Sequence, residues 1–197
     1  MAEKGLHKGW ATIEESHKHQ YYWDDLRFSI DAVRTVSGKV PTPTAYQNGA
    51  VLAFVNTADN AITFNAQMPH GLVMGTDVDF HVHIILPTAG AGGGAENVKF
   101  DLTYSWAGIG GTFPAYSTLT ATRDVQNDAA DEHILMDLGD CAYSNRGAGN
   151  AGVSDVLICR LTRDTSVADN YADDVYLLTA DFHIRTNAPG SRNEYIK

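Results

Sequence analysis

Residues 67–83 hold three of the eight histidines of the chain, His70, His81 and His83, and end in a His-x-His pair. Side chains two apart on a strand share a face, so both imidazoles can reach one ion. Asp77 and Asp79 fall on that face too, and two histidines with one carboxylate suit iron or manganese. The run Gly75-x5-His81-x-His83 matches the opening of the cupin metal motif. The rest of the motif is missing: Ile84-Ile85-Leu86-Pro87 stands where a glutamate is needed, and no second half with a late His and Asn is visible. Near the other end, His183 shares a strand face with Asp181 and Arg185, a pairing that can orient an imidazole but needs a nucleophile to do chemistry. The nearest thing to a nucleophile elbow, Gly152-Val153-Ser154-Asp155-Val156, lacks its second glycine. The expectation is therefore no catalytic residue, no metal and no cofactor. His70 sits in the turn Met68-Pro69-His70-Gly71 and could approach the pair, so His70, His81, His83, Asp181 and His183 are expected to form a polar cluster at an oligomer interface.

Other candidates are weaker. Asp24-Asp25 and Asp173-Asp174 are adjacent carboxylates, and neighbours in a strand point to opposite faces, which spoils a shared site. The acidic run from Asp164 to Asp174 lacks the regular oxygen spacing of a calcium loop. The glycine-rich segments 90–94 and 147–152 lack the Gly-Lys-Ser/Thr ending of a phosphate loop.

The elements that must position these residues are strands. Val78, Phe80, Val82 and Ile84 alternate with Asp77, Asp79, His81 and His83, and Val98 to Trp106 alternates with Lys99 to Ser105. Tyr176, Leu178, Ala180, Phe182 and Ile184 alternate with Val175, Leu177, Thr179, Asp181, His183 and Arg185. Shorter strands are expected over 26–31, 50–56, 61–65, 117–123, 133–138 and 153–163, separated by turn residues. No amphipathic helix longer than two turns is visible; 12–19 or 126–132 could form a short one. The pattern predicts an all-β protein, an antiparallel two-sheet sandwich of jelly-roll type over 23–197. Residues 1–22 read as a polar N-terminal arm. Ala89–Ala95 reads as a flexible hairpin tip, and Val175 and Leu177, on the wetter face of the last strand, as an oligomer surface.

Composition narrows the partners. A formal net charge of −10 with scattered cations argues against nucleic acid. No run of about 18 apolar residues predicts a membrane span, and the first ten residues lack a secretory apolar core. Two cysteines without C-x-x-C spacing read as free thiols of a chain made in a reducing cytoplasm.

As a whole, residues 20–197 resemble tailed-bacteriophage virion structural proteins of jelly-roll fold. The resemblance is carried by Trp23-Asp24-Asp25-Leu26-Arg27-Phe28, Gln67-Met68-Pro69-His70, Gly75 to His83, Phe100 to Trp106, Asp181-Phe182-His183-Ile184 and Pro189 to Glu194. It implies a non-enzymatic subunit, a homotrimeric capsid decoration, collar or tail appendage on the virion. Its partners would be further copies of itself and other virion proteins. Two alternatives stand beside it. One is a cupin-like metalloenzyme using His81 and His83. The other is a module for host-surface glycans, with Tyr116, Tyr143 and Tyr171 stacking on sugars.

Overall fold

The computed structural model describes residues 21–149 and 154–190. Nearly all of their regular structure is strand: β1 (Tyr22–Ser29), β2 (Arg34–Thr35), β3 (Thr42–Tyr46), β4 (Gly49–Phe54), β5 (Ala61–Gln67), β6 (Val78–Ile85), β7 (Asn97–Ala107), β8 (Ser117–Asp124), β9 (His133–Cys141), β10 (Val156–Arg163) and β11 (Val175–Thr186). Two 3-10 turns, at Ile30–Ala32 and Tyr143–Asn145, complete the set. The segment 126–132, expected as a possible short helix, is a pair of turns. Residues 12–19 and the arm up to residue 20 lie outside the described residues, and Tyr22 already belongs to β1.

The strands form two antiparallel sheets. One runs β3-β4-β11-β6-β9, with β1 also paired to β11; the other runs β2-β5-β10-β7-β8. From β4 onward the chain crosses between the sheets at every step except the β7–β8 hairpin. The resulting orders, β4-β11-β6-β9 and β5-β10-β7-β8, are those of a jelly roll. The glycine-rich segment at 89–95 therefore does not tip a hairpin but carries the chain from one sheet to the other. A side chain on Gly90 would meet Val125 O at 2.1 Å, so the close approach there requires glycine.

Alternation explains the core. β7 buries every second residue, from Val98 to Trp106, and the inward faces of both sheets meet in a layer of apolar side chains. Phe28, Phe64, Phe80 and Phe182 pack ring to ring beneath β6 and β11, with centroids 4.7 to 6.3 Å apart. Cys141 and Cys159 are buried free thiols in this layer.

Two bulges break the alternation, and both lie beside the His-x-His pair. Against β9, the register slips between Phe80 and His81, where Gly139 adopts φ +97°. Against β11, it slips between Leu177 and Thr179. The extra residue, Leu178, reverses the parity of β11. Val175 and Leu177 therefore point into the core, as do Ala180, Phe182 and Ile184 farther along. The expectation that Val175 and Leu177 form an oligomer surface fails for this reason.

Candidate functional site

Three strands remote in sequence lie side by side in the six-stranded sheet, and their polar faces make one outer surface. The pairings are Asp25 with His183, His183 with Asp79, Arg27 with Asp181, and Asp181 with His81. β9 extends the row with Asp137 opposite His81 and Leu135 opposite His83. The centre of this face is a trough of about 400 Å³ lined by Asp25, Arg27, His81, His83, His133 and Asp181, among others. Past Asp25 and His183 it continues into a hollow bounded by Trp23, Asp79, Asp140 and Arg185. Trp23 is 65% exposed, with the Arg185 guanidinium stacked 5.0 Å from its ring centre.

The floor is tightly interlocked. His81, only 1% exposed although it faces away from the core, places Nε2 3.0 Å from Asp181 Oδ1. His83 places Nε2 3.5 Å from the same oxygen, and its Nδ1 lies 2.7 Å from His133 Nε2. His183 is bracketed by two carboxylates, Nε2 3.1 Å from Asp25 Oδ1 and Nδ1 3.6 Å from Asp79 Oδ2. Its ring centre is 4.1 Å from that of His81.

The electrostatics follow from burial and crowding. Burial holds His81 and His83 below the usual imidazole value, against the opposing pull of Asp181. Burial, with the carboxylates of Asp137 and Asp140 close by, pushes Asp79 up to about 6. Asp25 is lowered, chiefly by the hydrogen bond donated by Arg27. The one hydroxyl in the lining, Thr179, donates to Phe28 O at 3.0 Å.

Of the five residues expected in one cluster, the structure brings together His81, His83, Asp181 and His183. His70 is not in the trough: its Nε2 lies 3.0 Å from Ser154 Oγ. Asp77 lies outside it too, accepting the Tyr143 N–H at 2.7 Å. Asp25 and His133 were not singled out with the cluster, because only strand pairing across the fold brings them in. Asp24 and Asp25 do face opposite ways, yet Asp25 gains a partner on the neighbouring strand. Among the three tyrosines considered for sugar stacking, Tyr171 is buried and Tyr143 packs on Trp106, leaving Tyr116 exposed. Tyr116 borders a separate hollow on the outer face of the other sheet, with Thr103, Arg160 and Asp101.

Two carboxylates of the acidic run 164–174 are spent on internal ion pairs. Asp164 pairs with Lys99, and Asp169 with the fully buried Arg163. No helix among the described residues is long and apolar enough to cross a membrane.

No family model matches the chain, and no curated protein does. Among solved structures it is similar to the C-terminal family 22 carbohydrate-binding module of Clostridium thermocellum Xyn10B. That match has a TM-score of 0.38 and 17% identity, and covers 83% of this chain and 90% of that one. A mannan-recognising carbohydrate-binding module, TmCBM27, matches at 0.34 and 9%, over 85% of this chain and all of that one. TmCBM61, solved with β-1,4-galactotriose, matches at 0.29 and 11%, over 88% of this chain and 91% of that one. At TM-scores this low the matches assign no ligand to this chain.

Proposed function

We propose that the protein is a non-catalytic binding module that holds a glycan across the outer face of its six-stranded sheet. The observation that carries this reading is the trough itself. An exposed tryptophan stands at one end, and a row of carboxylates, imidazoles and a guanidinium forms the floor. A sugar offers an apolar ring face for the indole and hydroxyls for the polar row. Few precisely placed polar groups beside an aromatic surface are what fix such a ligand. Carbohydrate is also the ligand class named for the similar modules above, although the trough has to support the reading on its own.

Affinity electrophoresis against a panel of soluble polysaccharides, run in a metal chelator, tests it. Retardation by at least one glycan is expected, and Trp23→Ala should weaken it about tenfold or more, equivalent to about 1.4 kcal/mol. Tyr116→Ala, on the other sheet, should leave it unchanged. Migration unaffected by every glycan, or undiminished by Trp23→Ala, overturns the proposal.

A virion role is a second reading and is compatible with the first, since an appendage subunit can touch a surface glycan. Exposed Ile158, on the outer face of the five-stranded sheet and away from the trough, is an apolar residue that a homotrimer would cover. A monomer by light scattering at high concentration would remove the trimer.

A further inference from the structure

We infer that His81, His83 and Asp181 form a binding site for one divalent first-row transition ion, zinc being the simplest probe. The inference does not depend on what occupies the trough above.

The distances are those of a coordination shell. An ion bonded at about 2.0–2.1 Å to tetrahedral ligands sets neighbouring donors about 3.3 Å apart. Asp181 Oδ1 lies 3.0 Å from His81 Nε2 and 3.5 Å from His83 Nε2. One ligand atom from each of the three residues falls within 4.8 Å of the others.

A second observation points the same way. Asp181 is 2% exposed, and its Oδ1 has no hydrogen bond of acceptable geometry, although two imidazole nitrogens stand beside it. Buried polar atoms left in that condition are costly, and a cation between the oxygen and the two nitrogens satisfies the carboxylate. In the tautomer in which His83 Nδ1–H donates to His133 Nε2, 2.7 Å away, the His83 Nε2 lone pair is directed toward Asp181. An orienting contact of this kind commonly supports a metal-bound imidazole. Three protein ligands leave a coordination position open toward the trough.

His81 also belongs to a rival set with Asp79 and His183. The first set is preferred because its carboxylate is buried with an oxygen that lacks a hydrogen bond, whereas Asp79 is partly exposed and His183 Nε2 is held by Asp25.

The test is calorimetric titration of zinc chloride into the chelator-stripped full chain, without sugar, followed by the absorption spectrum of the cobalt-substituted protein. One ion per chain and the ligand-field bands of a low-symmetry cobalt site are expected. His83→Gln should weaken binding by at least about 100-fold, and His133→Ala by about tenfold, as for an orienting group. His183→Gln should change it by only a few-fold. Matched circular dichroism and thermal melts establish that each variant folds. No binding, or binding indifferent to His83→Gln, overturns the inference. So does binding abolished by His183→Gln, which would place the ion in the rival set. Because the glycan assay runs in chelator, either proposal can fail without the other.

Discussion

Asp169→Ala should be among the most damaging single changes in this protein, because it strips the counter-ion from a guanidinium that has no access to water. Arg163 is fully buried and uses all five of its N–H groups. Nε and Nη2 each donate to Asp169 at 2.9 Å, Nη1 donates to Phe54 O and Asp173 O at 2.8 and 2.9 Å, and Nη2 donates to Tyr171 O at 3.1 Å. Removing one partner of such a pair leaves a buried charge uncompensated and costs about 3–5 kcal/mol. For a domain of this size, that lowers Tm by roughly 10 °C. Arg163→Met removes the charge but orphans three carbonyls at about 1–3 kcal/mol each before relaxation. The double variant Arg163→Met/Asp169→Ala should cost less than the sum of the two, with a coupling of about 2 kcal/mol. Urea unfolding of all four proteins measures this. If Asp169→Ala lies within about 1 kcal/mol of the parent, or the two changes simply add, the pair does not hold the 163–173 loop as described.

Three further outcomes are expected. Asp59 and Asp164 sit below the ordinary carboxylate value of 3.8, Asp59 chiefly through the Thr165 backbone N–H and Asp164 through Lys99. Their folded pKa values are depressed, so their stabilisation is present above about pH 4 and is lost as pH falls through the folded values. Amide exchange at Thr165 and Ser166, corrected for intrinsic rate, should be flat between about pH 5 and 8 and rise below about pH 4; protection that grows on acidification would contradict it. Burial pushes the Cys141 and Cys159 thiols far above their usual range, so neither should react with a thiol reagent until the protein unfolds. Rapid native labelling would show that the interior is open. Deleting Leu178 removes the extra residue, and strict alternation then keeps Val175, Leu177, Ala180, Phe182 and Ile184 on one face, so the deletion variant should fold at a cost of about 1–3 kcal/mol in urea unfolding. A deletion variant that fails to fold would mean that Leu178 is not the residue that sets the parity.

Alternation in 78–84, 98–106 and 133–138 was legible as strands, and so was the two-sheet architecture, because period two is a local signal. The sharing of one face by His81 and His83, and by Asp181 and His183, was equally local. β3 was not expected as a strand; the sheet accepts Pro43 there because β3 is an edge strand with only one ladder to satisfy. The parity of Val175 and Leu177 was lost to a bulge, which inserts one residue without any compositional mark. Asp25 and His133 reached the trough through pairings between strands some fifty to one hundred and sixty residues apart, about which spacing along the chain says nothing. Arg163 was read only as the end of the strand over 153–163, because its partner, Asp169, lies in a loop whose course is tertiary.

The strand order carries a consequence for how the protein is made. β11, the last strand among the described residues, lies in the interior of the six-stranded sheet, between β6 on one side and β4 and β1 on the other. During synthesis, β3-β4 and β6-β9 can pair before β11 emerges from the ribosome, but they remain two half-sheets with raw edges facing each other. Those edges are templates for pairing with other chains, and the exposure lasts until residue 186 is free. Closure then unites residues 22–29, 78–85 and 175–186 in one step. A nascent or truncated chain ending before β11 would have no trough, and its failure would appear as aggregation rather than weak binding.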